Sequence, residues 1–456
     1  MSFRCRTRSF PGTSSWLSFR GHLLHLNGQW GRSVPARQQH PKTSNEYSNA
    51  ASKRHQDSNI FLRYARAIGV MMRRYRSTSK ELLPPAGDIM PARLLRVLHV
   101  SEAFGGGVRT AMVNYVIGTP EFEHSMVLRL RAGHETVEVP EDVDVKYVSG
   151  GLIDFFKAAL RAVDQGDYDI VHLHSSYAGV LRAFLPRNVR IVYTPHCYVM
   201  EAKKSAYRTV TYRMVEKALA QRPQLLMAVS PREAAIGLSL RPSMHAEIVE
   251  NVAVALPVPF TKAHRNSAKP IITMVGRIMA QKDPFFFADV ARQLGTERFR
   301  FMWIGDGDDD GRLALEEAGV EVTGWLPSAD VWDVLEITDL YLHTAAWEGG
   351  PLSTLEAADA GCPLLARTIT SMESLGYPLA GTEPGAVASS VERFFADPAY
   401  REDVSMTSRQ IARNASLENL GRNLAHLYGR AMVELKPRTV RAEREQHRVE
   451  RTAAIS

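Results

Sequence analysis

DLYLHTAAWEGGPLSTLEAADAGCPLLAR, residues Asp339–Arg367, reads as one complete structural unit. DLYLHTA is a short buried-strand run. Pro351 cannot sit deep inside a helix, because it lacks an N–H and its φ is fixed, but it suits a helix's first turn. STLEAADA is a good helix sequence and Gly361 a natural stop. PLLAR then returns as a strand. A strand, a helix and a second strand in that order predict a parallel crossover.

The same alternation extends outward in both directions. Before this unit come PIITMVGR, a helix over FFFADVARQLG, RFMWIGDG, EEAG, VEVTGW and a helix over DVWDVLEI. A second series begins near Leu94 with LLRVLHVS, then Gly105–Gly107 and a helical stretch through about Ile117. HSMVLRL, YDIVHLH, RIVYTPH and LLMAVS follow as strands, with LIDFFKAALRAV and SAYRTVTYRMVEKALA as helices between some of them. Between the two series, LPVPFTKAHRNSAKP (Leu256–Pro270) has three prolines and no apolar period, which marks a linker. The chain therefore divides into an extension over 1–90, an α/β domain over 91–257, a linker over 258–270, a second α/β domain over 271–417, and a helix with a charged tail over 418–456. Two doubly wound domains on one linker face each other across a cleft. Open α/β sheets bind ligands outside the carboxyl ends of their strands, so the chemistry belongs in the strand-end loops.

With 45% hydrophobic and 23% charged residues, the composition is that of a globular protein. No apolar run approaches the roughly 18–20 residues that span a bilayer, so a soluble, cytoplasmic or peripheral protein is expected. Cys5, Cys197 and Cys362 are scattered, without a CxxC pair, which suits a reducing compartment with neither a disulfide framework nor a zinc site. The net charge of +7 belongs to one end. Residues 1–80 hold 12 Arg and 3 Lys against Glu46 and Asp57, a net +13, so the rest of the chain carries −6. Residues 1–60 have the Arg-, Ser- and Gln-rich composition of disorder. They fit a transit peptide and equally an early start, since Met72 and Met90 both precede the ordered region. Within the extension, IFLRYARAIGVMMRRYR (Ile60–Arg76) has the pattern of a basic amphipathic helix for an anionic membrane surface, such as the inner face of the plasma membrane. A nucleic-acid partner would have to rest on this segment alone and is not expected.

The chemistry-bearing pattern lies in the opening stretch. Glu348 precedes the helix and Glu356 lies within it, with Gly349-Gly350-Pro351 between them. Two carboxylates in one place repel, so each must serve something else. A helix N-terminus offers free N–H groups and a positive dipole end to an anion, and glycines let the anion approach the backbone. Flanking carboxylates would then accept hydrogen bonds from sugar hydroxyls. An anion between polyols describes a nucleotide sugar. Positive charge for its diphosphate stands in VGRIMAQKDP, where Arg277 and Lys282 follow a strand end and Gly276.

GRIMAQKDP, IGDGD, VTGWLP and WEGGPLSTLEAADAGCPLLA, in this order and spacing, resemble glycosyltransferase family 4 over about Leu94–Glu434. The resemblance implies the GT-B architecture of two facing Rossmann-like domains. It also implies a retaining transferase moving sugar from a UDP- or GDP-linked donor to a glycan or lipid-linked acceptor in surface polysaccharide synthesis, with no cofactor and no metal. Glu348 matches the glutamate that faces the donor sugar, and Glu356 the one that binds the ribose. Arg277 and Lys282 match the pair that neutralises the diphosphate, with amides at Gly350, Leu352 and Ser353 completing the cradle. Gly105, Gly106 and Gly107 match the glycine loop of the first domain, and His196 a histidine that lines the reaction centre. Two other activities share this architecture: a sugar-nucleotide epimerase and a non-catalytic scaffold.

The chain departs from the pattern at Gly350-Pro351, where many members carry Phe-Gly, and at Asn251-Val252, where Asn-Gly is usual. Pro351 has no N–H and withdraws one amide from the cradle. His172 and His174 alternate on one strand and share a face, yet no third ligand is spaced to make a metal site with them. GDGDDD (Gly305–Asp310) lacks the glycine and glutamate spacing of a calcium loop and reads as a strand-end turn. Trp325 reads as packing.

Overall fold

The computed structural model describes residues 94–129, 139–140, 143–202, 205–253 and 269–435. The extension 1–90, its segment 60–76, most of the linker and the tail from Lys436 lie outside the described residues. Seven strands form the first sheet: β1 (Arg96–Ser101), β2 (Glu123–Arg129), β3 (Asp144–Val148), β4 (Ile170–His174), β5 (Arg190–Thr194), β6 (Leu225–Ala228) and β7 (His245–Ile248). Six form the second: β8 (Ile271–Val275), β9 (Arg300–Ile304), β10 (Glu321–Val322), β11 (Leu340–His343), β12 (Leu364–Arg367) and β13 (Leu379–Gly381). The helices of the first half are α1 (Gly106–Gly118), α2 (Leu152–Gln165), α3 (Ala206–Leu219) and α4 (Pro231–Leu240). Those of the second are α5 (Pro284–Leu294), α6 (Asp309–Glu317), α7 (Ser328–Glu336), α8 (Leu352–Asp359), α9 (Thr370–Ser374), α10 (Pro384–Ala396) and α11 (Pro398–Asn414), with α12 (Leu417–Glu434) last.

Strand order is β3-β2-β1-β4-β5-β6-β7 in one sheet and β10-β9-β8-β11-β12-β13 in the other, and the ladders are parallel. Central strands such as β4 and β11 are buried along their whole length, as expected where helices cover both faces of a parallel sheet. The architecture is therefore the expected pair of doubly wound α/β lobes. The order reverses between β1 and β4 in the first sheet and between β8 and β11 in the second. A crevice opens at each of those points, beyond the carboxyl ends of the strands.

Local sequence explains several helix starts. Ser230 accepts a hydrogen bond from Glu233 N with Pro231 in the first turn of α4, and Asp283 does the same for Phe286 N with Pro284 in α5. The last helix does not stay with the second lobe. Leu420, Leu424, Leu427, Tyr428 and Ala431 of α12 pack with Val97, Tyr115, Ile170 and Val192 of the first. The crossing of α12 on α1 is closest at Gly421, where an added methyl group would land on the Gly118 carbonyl oxygen. Gly421→Ala is expected to cost about 1–3 kcal/mol by overpacking against backbone. Urea unfolding checks this, and a variant as stable as the parent would show that the helix is free to shift.

Candidate active site

The two crevices hold the chemistry-bearing residues. From the second sheet, the loop after β8 supplies Gly276, Arg277, Gln281 and Lys282, and the loop after β11 supplies Glu348–Pro351. From the first sheet, the loop after β1 leads through Gly105–Gly107, and His196 follows β5. The lobes touch here. Asn251 Nδ2 donates to Gly350 O at 2.7 Å, and Gly107 lies against the Leu352 side chain. A methyl group on Gly349 would meet Cys197 N at 2.8 Å, so only glycine allows this approach.

Lys282 and Glu348 meet directly, with Nζ 2.6 Å from Oε1 and their side chains 15% and 7% exposed. Burial alone would raise the Glu348 carboxyl. The Lys282 ammonium, and after it His343, outweigh burial and hold the carboxyl at about 2. Glu348 is therefore ionised throughout the physiological range. His343 Nε2 stands 3.3 Å from Oε1 at ion-pair distance, yet neither ring nitrogen of this buried residue is in hydrogen-bond geometry. Gln281 Nε2 donates to Glu348 Oε2 at 3.4 Å and to Trp347 O at 3.2 Å. Sequence reading did not find Gln281 or His343. Nothing in a lone Gln or a strand-terminal His marks it as a partner of Glu348 until the β8 and β11 loops are adjacent.

Pro351 stands at the N-cap of α8 rather than in its first turn, a shift of one position from the sequence reading. Its extended ψ and missing N–H fit that place, and no side chain caps α8. The first-turn amides, Leu352 and Ser353 among them, so carry the unsatisfied donors of a helix start. Ser353 is held by Tyr341, whose hydroxyl donates to Ser353 Oγ at 3.0 Å. One turn on, burial raises the Glu356 carboxyl and Lys282 opposes the rise. The repulsion expected between Glu348 and Glu356 is thus offset by one ammonium whose charge acts on both carboxylates.

Arg277 is exposed, with its guanidinium carbon 5.7 Å from the centre of the Trp325 ring. Trp325 is itself 63% exposed, which corrects the reading of it as a packing residue. The Arg277 loop is braced from below. Trp303 Nε1 donates to Gly276 O at 2.8 Å, and Ile278 N donates to Asp306 O at 2.9 Å. Gly305 needs to be glycine, since φ is +134° and a methyl group there would strike Gly276 O. Asp306 pairs with Arg312 at 2.7 Å, Asp308 caps α6, and Asp309 and Asp310 lie in the first turn of that helix. That is a strand-end turn, as its spacing implied.

His196 and Cys197 are both left-handed, with φ of 51° and 85°, a costly conformation for non-glycine residues. Glu233 stabilises the turn. Its Oε1 accepts Cys197 N at 2.6 Å and its Oε2 accepts Val229 N at 2.8 Å. Burial nonetheless lifts the Glu233 carboxyl to about 7. The His196 imidazole is half-buried, and desolvation lowers it to about 3, so the ring is neutral. Its Nε2 lies 3.1 Å from His174 Nδ1.

The strand partner that a single-strand reading could not see is His99. It sits opposite His172 in the β1–β4 register, and donor nitrogens of His99, His172 and His174 come within 4.8 Å of one another. A potential third ligand is therefore present, although sequence spacing offered none.

A family model described as Glycosyl transferases group 1 matches residues 269–397, and one described as Glycosyltransferase Family 4 matches 116–251. An uncharacterized 41.2 kDa protein in the cps region of Klebsiella pneumoniae is 24% identical over 300 residues, covering 61% of this chain and 82% of the relative. UDP-Gal:α-D-GlcNAc-diphosphoundecaprenol α-1,3-galactosyltransferase of Escherichia coli is 26% identical over 235 residues, 46% of this chain and 60% of that protein. Among solved structures, sucrose-phosphate synthase from Thermosynechococcus elongatus superposes with a TM-score of 0.62 at 16% identity, covering 75% of this chain and 100% of that one.

Proposed function

Since the chain belongs to glycosyltransferase family 4, we propose that it is a retaining, metal-independent enzyme that moves a sugar from a nucleotide-diphospho donor, UDP-linked in the first instance, to a hydroxyl of a lipid-linked or glycan acceptor in polysaccharide synthesis. The observation that carries this reading is the convergence at the two switch points. A buried Lys282–Glu348 pair, the uncapped start of α8 and the His196 turn all open on the same inter-lobe contact.

In this reading the diphosphate lies on the amides of α8 near Gly350, Leu352 and Ser353, with Lys282 and the outer Arg277 as its cations. These are fixed positive charges aimed at the charge that develops on the leaving group. Glu356 takes the ribose hydroxyls, and ionised Glu348 a hydroxyl of the donor sugar. Gly105, Gly106, Gly107 and His196 line the acceptor side. The bond from the anomeric carbon to the diphosphate oxygen breaks as the acceptor oxygen bonds the same face. The acceptor proton passes to the departing phosphate oxygen. No protein nucleophile is needed.

Thermal shift with a panel of UDP- and GDP-sugars tests the donor site. A donor at about a hundredfold its Kd is expected to add about 2.7 kcal/mol of stability. Glu356→Ala is expected to lose most of that gain while keeping the unliganded stability. No stabilisation by any member of the panel, or equal stabilisation of the variant, would remove the proposed site. Product analysis with a lipid-diphosphate sugar acceptor separates transfer from an epimerase, which would release sugar without using the acceptor.

A further inference from the structure

Four imidazoles form one continuous hydrogen-bonded file through the first sheet. His196 Nε2 lies 3.1 Å from His174 Nδ1, His174 Nε2 lies 3.0 Å from His99 Nδ1, and His99 Nε2 lies 3.0 Å from His124 Nδ1. His124 Nε2 ends the file 3.1 Å from the Thr119 carbonyl oxygen and 3.1 Å from its hydroxyl. Every link joins an Nε2 to the next Nδ1, so the file has one polarity. The strands dictate this. β2, β1 and β4 are neighbours, and His124, His99 and His174 project from the same side of the sheet.

The end of the file decides where the protons are. Thr119 Oγ1 donates to Tyr115 O at 2.7 Å, a helical back-bond that commits its hydrogen. The Thr119 carbonyl accepts only. His124 Nε2 must therefore donate. With His124 neutral, one of its nitrogens donates and the other accepts, so Nδ1 takes the hydrogen bond from His99 Nε2. The same step then repeats through His174 to His196. Burial, and after it the neighbouring imidazoles, hold His99 and His174 well below 6.5, which keeps these two neutral.

We propose that His174, His99 and His124 are positioning residues that lock His196 as its Nε2–H tautomer. The unprotonated Nδ1, which has no hydrogen-bond partner among the described residues, is then the nitrogen it offers a ligand. Resting on the transferase reading, the lock gives His196 one defined role, which is to accept a hydrogen bond from a substrate hydroxyl and never to donate one.

A metal ion is the competing occupant, since His99, His172 and His174 are close enough to share one. The hydrogen bonds favour the lock. Both nitrogens of His99 and of His174 are used within the file, and His172 bonds Tyr428 through Nδ1 at 2.9 Å and Thr194 through Nε2 at 2.8 Å. A metal would have to break these bonds.

Long-range 1H–15N correlation of imidazole signals in the 15N-labelled full chain tests the lock without any sugar nucleotide, so its outcome is separable from that of the transferase reading. The His196 signals are assigned by their loss in H196Q. The expected result is Nε2–H at all four members and an unprotonated Nδ1 at His196. H99F cuts the file and is expected to let His196 populate Nδ1–H, with kcat/KM falling about tenfold or more as a buried acceptor becomes mismatched. Nδ1–H at His196 in the unmodified chain overturns the proposal whether or not H99F folds. So does a stoichiometric zinc ion in the purified protein that is lost in H172F, a variant that leaves the file intact.

Discussion

Lys282→Ala is expected to lower kcat/KM by roughly two to three orders of magnitude, the loss typical of removing one fixed electrostatic stabiliser from a transition state. Two effects act together. The variant withdraws the ammonium proposed for the diphosphate, and it strands Glu348. With Nζ 2.6 Å from Oε1, Lys282 is the largest influence holding that buried carboxyl down at about 2 against the cost of burial. Without it, burial and His343 remain, and the carboxyl rises toward or above its ordinary range. The residual activity should therefore fall on the acid side at a higher pH than in the parent, because the ionised form is the one proposed to meet the donor sugar. Lys282→Arg separates the two effects: it keeps a cation beside Glu348 and should restore the acid limb further than it restores the rate. Steady-state kinetics from pH 5 to 8 decide the matter. A Lys282→Ala enzyme within about threefold of the parent would mean that Arg277 and the α8 amides suffice for the leaving group.

The parts of this molecule that sequence revealed best are those that depend on local chemistry. β4, β5, β8, β9 and β11 are short runs dominated by apolar residues and almost wholly buried, which made each legible. β3, β7 and β13 were not. The first two are edge strands with mostly exposed side chains, and the third has three residues. Helices α10 and α11 were also missed, although each begins with a proline in its first turn. The site divides the same way. Gly349-Gly350-Pro351, Glu356 and Lys282 announce a helix mouth by type and spacing. The Lys282–Glu348 pairing, the Asn251 hook on Gly350 and the Glu233 strut under Cys197 are contacts between distant segments, and no window of sequence contains them. His99 is the sharpest case. On its own strand it is a lone histidine in an apolar run. The parallel register with β4 makes it the centre of the file.

Acidification from pH 6.5 to 5.5 is expected to cost this protein about 3 kcal/mol of stability. His99, His172 and His174 are fully buried, and burial first, then the neighbouring imidazoles, lowers each well below 6.5. Below pH 6.5 the unfolded chain binds protons at these residues and the folded chain does not, so stability falls with pH. Burial likewise lowers His196 to about 3. An unfolded imidazole is only half protonated at about pH 6.5, so each of these four contributes about 1 kcal/mol over this unit, or about 4 kcal/mol together. Glu233 works in the opposite sense. Its carboxyl stands at about 7 against an ordinary 4.5, so between those values the folded chain holds a proton that the unfolded chain has lost. It returns about 1.4 kcal/mol per pH unit as pH drops, which leaves roughly 3. Against a total of 5–15 kcal/mol typical of folded domains, that is a large fraction. Urea unfolding at pH 7.5, 6.5 and 5.5 measures the slope, and Glu233→Gln should steepen it by about 1.4 kcal/mol per unit by removing the opposing group. A stability that stays level across this range would mean that the file takes up protons while folded, and the neutral tautomers assigned to it would fall with that result.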